Sequence, residues 1–186
     1  SSGYAAWFEE LLEELGCEIW IGHATYIRQF ARRRQKNDRR DADLILELLH
    51  TGDFPRIHRY SRTTREILQQ LRYRQRLVKM RTMAMNMLLF MASSRGVTMR
   101  TQLQSKRGQA KLAQLPLPQP LGTQRDELLS LLQTLDQKIS TLERWLEHQT
   151  KQDVAVQRLQ THPGIGLLTS ICLRYTLEEV DRFANT

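Results

Sequence analysis

Two long stretches of the chain repeat their apolar residues by alternate steps of three and four, and nothing else in the sequence constrains the fold as tightly. Leu68, Leu71, Gln75, Val78, Thr82, Met85 and Leu89 form one such seam; Leu128, Leu132, Leu135, Ile139, Leu142 and Leu146 form the other. This spacing marks helices that pack side by side along a heptad stripe. The first seam predicts a helix from about Thr63, with Thr63 and Glu66 as a capping box, to about Ala92. At 1.5 Å per residue such a helix is about 43 Å long. The second predicts a helix opened by Thr123 and Asp126. Between them, Gly96, Gly108, Gly122 and the Pro-Leu-Pro-Gln-Pro run at 116–120 make residues 93–124 a break. The simplest arrangement is a long antiparallel helical hairpin or coiled coil. All six methionines fall between Met80 and Met99, and they read as core filler or as an adaptable surface for a partner chain.

The flanks are different in kind. Residues 4–15 place Phe8, Leu11, Leu12 and Leu15 on one helical face, and Gly16 follows as a stop. Cys17 to Ile21 alternates and is rich in strand formers. A lone strand cannot stand by itself, so its partners are expected outside this sequence or in another chain. Residues 38–50 form a helix with Ala42, Ile45, Leu46 and Leu49 on one face, ended by Gly52 and Pro55. Near the end of the chain, His162-Pro163-Gly164-Ile165-Gly166 links a helix ending at Leu159 to one beginning at Leu167. The expected fold class is mostly α with a partial α/β piece. The expected divisions are residues 1–58, 59–158 and 159–186.

Charge is distributed unevenly. Of 186 residues, 28 are Lys or Arg and 20 are Asp or Glu, for a net charge of +8. Residues 1–23 carry five Glu and no cation, residues 24–110 carry twenty cations against six acids, and residues 111–186 carry eight against nine. A local excess of this size points to a phosphate-bearing partner, with a solvated helix face as the alternative. Two isolated cysteines, Cys17 and Cys172, exclude a disulfide-framed domain and a cysteine-built zinc site. The longest apolar run, Met87 to Ala92, is too short to span a bilayer. No membrane partner is expected, no signal peptide opens the chain, and the location is expected to be cytoplasmic.

The segment Lys36-Asn37-Asp38-Arg39-Arg40-Asp41-Ala42-Asp43 carries the most chemistry. Asp38 and Asp41, three apart at a helix start, present carboxylates on one face. Paired carboxylates suit a hard cation such as Mg²⁺, which takes one or two of them together with phosphate oxygens. Lys36, Arg39 and Arg40, with Arg32, Arg33 and Arg34 just upstream, would hold a nucleic-acid backbone. The competing explanation is helix capping and dipole compensation by first-turn acids. In the His-Pro-Gly-Ile-Gly turn, Gly164 and Gly166 would let backbone N–H groups face a phosphate; a plain interhelical turn explains the same residues. The five histidines share no ligand spacing, and Trp7, Trp20 and Trp145 read as packing residues.

The run Lys-Asn-Asp-Arg-Arg-Asp-Ala, with the helix ending at Gly52, resembles the DEDD-type transposases of insertion sequences and the Piv-like DNA invertases. The opening helix, the Cys17–Ile21 segment, the long hairpin and the His162–Gly166 turn follow in the order that family shows. The resemblance implies an incomplete RNase H-like, RuvC-related domain whose last two metal-binding aspartates fall on Asp38 and Asp41. It implies magnesium as cofactor, DNA as partner, and the start of a helix-hairpin-helix-like second domain; some family members also use a structured guide RNA. The family's first Asp and its Glu lie upstream of the matching segment, and its serine nucleophile lies downstream. The sequence is thus expected to be an internal fragment, inactive alone and self-associating through the hairpin. A non-catalytic nucleic-acid-binding coiled coil is the alternative.

Overall fold

A computed structural model describes residues 6–31, 37–99 and 105–183. The chain divides into two compact units, Ser1–Tyr60 and Ser61–Thr186.

The first unit holds α1 (Ala6–Glu14), α2 (Ala24–Phe30) and α3 (Asp38–Thr51). α1 ends where expected: Gly16 takes φ +71°, and the Cys17 N–H donates to the Leu12 carbonyl at 2.9 Å. The expected strand over Cys17–Ile21 does not form, and there is no strand among the described residues. The partial α/β piece is therefore corrected to an all-helical unit with one antiparallel bridge, Gly22 to Arg56. The Ile57 N–H donates to Ile21 at 2.8 Å and the His23 N–H to Pro55 at 3.0 Å. The pairing segment thus lies in this chain, just after α3. Toward α2 the ladder stops at this rung, because α2 starts at Ala24 and Pro55, opposite His23, has no N–H to give. Gly22 permits this approach, since a Cβ there would lie 2.6 Å from the Phe54 ring and 2.7 Å from Ile27. Arg59 ties the segment after α3 to α1 through Glu13 at 2.6 Å and Glu9 at 3.4 Å. The Glu13 hydrogen bond is the main cause that raises the Arg59 pKa above its ordinary value.

The second unit is built on α4 (Arg62–Ser93) and α6 (Gln119–Thr150), joined through α5 (Lys106–Ala113) and followed by α7 (Val154–Gln160) and α8 (Leu167–Leu177). The hairpin is antiparallel. Arg74 pairs with Glu143 at 2.6 Å and Arg81 with Asp136 at 3.2 Å, so seven residues forward on α4 is seven residues back on α6. Leu77, Leu135 and Ile139 form one core cluster; Ala84, Leu88, Met91, Ala92, Met99, Leu112, Leu129 and Leu132 form another. Met99 and Leu112 bring the connecting segment into that core, so the break contains a helix of its own. α5 is capped by the Ser105 hydroxyl, which accepts from the Gly108 N–H at 3.1 Å.

The α6 seam runs as expected, with Leu132, Leu135, Ile139 and Leu146 buried and Leu128 and Leu142 half-buried. The α4 seam keeps Leu68 and Leu71 buried and Val78, Met85 and Leu89 half-buried, but it is wider than the expected stripe and passes its two polar positions by. Gln75 and Thr82 are exposed, whereas Ile67, Leu77, Ala84 and Leu88 are buried and Arg74 and Arg81 half-buried. An apolar-only pattern passes over arginine, yet its stem can lie along a core while its head reaches a carboxylate. Both helix starts also move. The Ser61 hydroxyl accepts from the Thr64 N–H at 3.2 Å, so Ser61 caps α4 in place of Thr63. α6 starts four residues before Thr123, with Pro118 at the cap and Pro120 in its first turn, where proline's missing N–H costs nothing. The far end of α8 returns to the start of α4. A Glu178 carboxylate oxygen accepts from the Ser61 N–H at 3.1 Å and the Thr64 hydroxyl at 2.6 Å. The methionines split between both readings: Met91 and Met99 are buried, while Met80, Met83 and Met87 are exposed.

Candidate metal and nucleic-acid site

α3 begins with Asn37, whose side-chain oxygen accepts from the Arg39 N–H at 3.1 Å. The Asp41 N–H donates to the Asn37 carbonyl at 3.0 Å, closing the first turn. The cap is therefore supplied by Asn37, and neither Asp38 nor Asp41 is used for it. Both aspartates lie exposed in the first turn of a fourteen-residue helix. Neither side chain makes a hydrogen bond or ion pair among the described residues. Their negative charge still complements the helix N-terminus, but that effect leaves all four carboxylate oxygens open to a ligand.

Two hard oxygen donors three residues apart fit a magnesium ion that completes its shell with water and phosphate. They are only part of a metal site. No group of three or more His, Cys, Asp or Glu side chains among the described residues is placed to hold a metal. Arg39 and Arg40 are exposed on the same turn, so cations flank the carboxylates. Arg32, Arg33, Arg34 and Lys36 lie outside the described residues.

Gly164 and Gly166 lie in the second unit, between α7 and α8. Gly164 takes φ +85°, a left-handed value that favours glycine. Gly166 is the cap residue of α8 at φ −84°, ordinary backbone with open space where a Cβ would be. The turn is closed by the Ile165 N–H donating to the His162 carbonyl at 3.1 Å. Arg174 on α8 is committed elsewhere: it donates to the Glu178 carbonyl at 2.6 Å and pairs with Asp153 at 3.4 Å. Asp153 in turn caps α7, accepting from the Ala155 and Val156 N–H groups at 2.9 and 3.2 Å. Beside it, burial and then the Asp153 charge push the Tyr175 hydroxyl above its ordinary pKa. These side chains hold the two short helices together.

The residue that sequence reasoning passed over is Asn37. Its position directly before the first helical residue was the available clue, and it decides what the two aspartates are free to do.

Residues 1–91 match the family model of the DEDD type described as "Transposase". Over 191 residues the chain is 26% identical to the "Probable family 20 transposase" of Pseudomonas aeruginosa, covering 97% of this chain and 55% of that protein. Over 157 residues it is 26% identical to the "Transposase for insertion sequence element IS1111A" of Coxiella burnetii, covering 81% of this chain and 43% of that one. The chain thus spans about half the length of these curated relatives. No solved structure matches it significantly.

Proposed function

Through residues 1–91 the chain belongs to the DEDD transposases of insertion sequences, and from that premise we propose that it serves metal-assisted DNA strand cleavage and exchange, with Asp38 and Asp41 as metal-binding residues. The observation that carries this reading is the pair of open carboxylates on the first turn of α3, freed from capping by Asn37. Magnesium, when bound, supplies Lewis acidity to a phosphoryl oxygen. The chain's own residues do the rest of what this segment contributes. Asp38 and Asp41 orient their oxygens from one rigid helical turn, and Arg39 and Arg40 draw a phosphate against that turn. Further ligands and the serine nucleophile would come from other parts of the protein, so these residues alone are not a catalytic set.

In this reading residues 1–58 are the closing part of an RNase H-like domain, 59–158 a coiled-coil spacer, and 159–186 the start of a second, helix-hairpin-helix-like domain. Arg32, Arg33, Arg34 and Lys36 contact DNA or a structured guide RNA, and the Gly164–Gly166 turn lies against backbone phosphates. The protein acts on DNA in the cytoplasm; no helix among the described residues is long and apolar enough to cross a membrane. Self-association of the hairpin uses its outside, because the α4 and α6 seams already fill one another. Met80, Met83, Met87 and Phe90, exposed at steps of three, four and three, offer a second stripe for another copy.

Asp38→Asn and Asp41→Asn test the metal assignment. In the full protein each should abolish strand cleavage and weaken Mg²⁺ binding by calorimetry. The helix should persist by circular dichroism, because the Asn37 cap is untouched and the lost dipole term is only about 0.3–1 kcal/mol. Normal cleavage by either variant would remove that residue from the metal site.

A further inference from the structure

We infer that Arg72, Arg76 and Lys79, on the outward face of α4, form a second phosphate-backbone contact separate from the Arg32–Arg40 segment. The inference rests on the nucleic-acid reading above and adds a site to it. All three side chains are exposed, and none has an ion-pair partner among the described residues. Their spacing of four and three places them on one stripe. That stripe faces away from the seam occupied by Leu71, Arg74, Leu77 and Arg81, so the packing of α6 leaves it open.

Ordinary solvated helix faces mix charges of both signs and form i,i+4 pairs. This one does not. The only acid on α4 is Glu66, which Arg62 already meets at 3.4 Å one turn earlier. A surface kept only for solubility has no need to segregate charge in this way. From Arg72 to Lys79 is seven residues, about 10 Å along the helix. Successive phosphates of one strand wind round the duplex axis and lie farther apart than the axial rise of about 3.4 Å, so a stripe of this length, carrying side chains as long as arginine and lysine, reaches about two to three of them. Tyr73, exposed beside Arg72 and three residues before Arg76, adds a ring on which an unpaired base can stack. A fully paired duplex offers no such base.

The test is the salt dependence of binding by the full chain to duplex DNA, single-stranded DNA and a hairpin RNA. Replacing Arg72, Arg76 and Lys79 together by Gln keeps helix propensity. It should flatten the slope of log affinity against log salt by about 2 to 3 on duplex and about 2 on single strands. Arg72→Lys with Arg76→Lys should restore the slope, since point charges suffice for backbone contact. Tyr73→Leu should weaken only the single-stranded and hairpin arms; equal binding in all three assigns the stripe to duplex backbone. A slope untouched by the triple change, with helix content intact, overturns the site and leaves the stripe to an acidic protein surface or to solvent. Neutralising Arg32, Arg33 and Arg34 in parallel separates the two claims. If that change flattens the slope and the α4 change does not, only the α4 site falls; if neither does, the nucleic-acid reading falls with it.

Discussion

α4 and α6 are the same length, 32 residues each, and share one seam, yet they treat charge in opposite ways. α4 carries seven cations and one acid; α6 carries three cations and five acids. On α6 the charges are spread among small polar residues. On α4 all seven lie before Thr82, five of them in the first half, and the second half turns outward a methionine stripe that ends at Phe90, three-quarters exposed. Packing cannot be the cause of this difference, because both helices contribute similar residues to the same two core clusters. The difference lies on the surfaces that packing leaves free, and it fits the proposal that one arm of the hairpin is scaffold while the other also presents an interface.

The largest test of that division compares neighbours that differ only in the face they occupy. Leu132 is buried and Leu131 exposed on α6; Leu88 is buried and Met87 exposed on α4. Leu132→Ala and Leu88→Ala should each cost about 2–5 kcal/mol in urea unfolding, through lost burial and the cavity left behind. Leu131→Ala and Met87→Ala should stay within about 0.5 kcal/mol. A large loss at Met87 in the isolated monomer would break the comparison, since that face would then be packed rather than free.

The next effect concerns how the two arms begin. The Thr64 N–H, in the first turn of α4, is met by the Ser61 hydroxyl, and Glu178 holds both residues. Leu121, at the matching position of α6, follows a proline cap that supplies no side-chain hydrogen bond. Ser61→Ala should therefore cost about 1 kcal/mol. In hydrogen exchange the Thr64 amide should be slower than that of Leu121 in the wild type, and Ser61→Ala should erase the difference. Unequal exchange that survives the substitution would mean that the Ser61 hydroxyl is not what protects the Thr64 amide.

Much of this hairpin was legible beforehand, and the misses have physical causes. Six regularly spaced aliphatic residues mark the α6 seam, and only at its start does a neighbour, Leu129, bury more deeply than the seam residue Leu128. On α4 Leu68 and Leu89 stay at the core, and two choices compete between them: Gln75 and Thr82 against Arg74 and Arg81. Only cross-helix partners choose between them, and those partners, Glu143 and Asp136, lie some sixty residues away in sequence. Cys17–Ile21 failed as a strand for a similar reason, since strand pattern reports preference but a ladder needs a partner paired along its length, and among the described residues pairing is limited to the bridge at Gly22. At the candidate site the aspartates were visible from their spacing. Their availability was not, because it depends on which neighbour makes the cap.

The smallest effects separate the two ion pairs that set the register. Arg74 reaches Glu143 through two nitrogens, at 2.8 and 2.6 Å, with side chains 26% and 36% exposed. Arg81 reaches Asp136 at 3.2 Å with side chains 38% and 46% exposed. The shorter, drier pair loses less to solvent screening and is better oriented. Double-mutant cycles with Arg74→Met and Glu143→Gln should give a coupling of about 1 kcal/mol. The corresponding cycle at Arg81 and Asp136 should give about 0.3 kcal/mol, and 1 M salt should shrink both. Exchanging the charges at Arg74 and Glu143 should keep most of the first coupling, because the pair needs opposite signs facing each other and no particular helix to carry either one. If the exchange instead destabilises strongly, α4 requires its cations in the seam as well as outside it. The contrast between the two arms would then begin in the core.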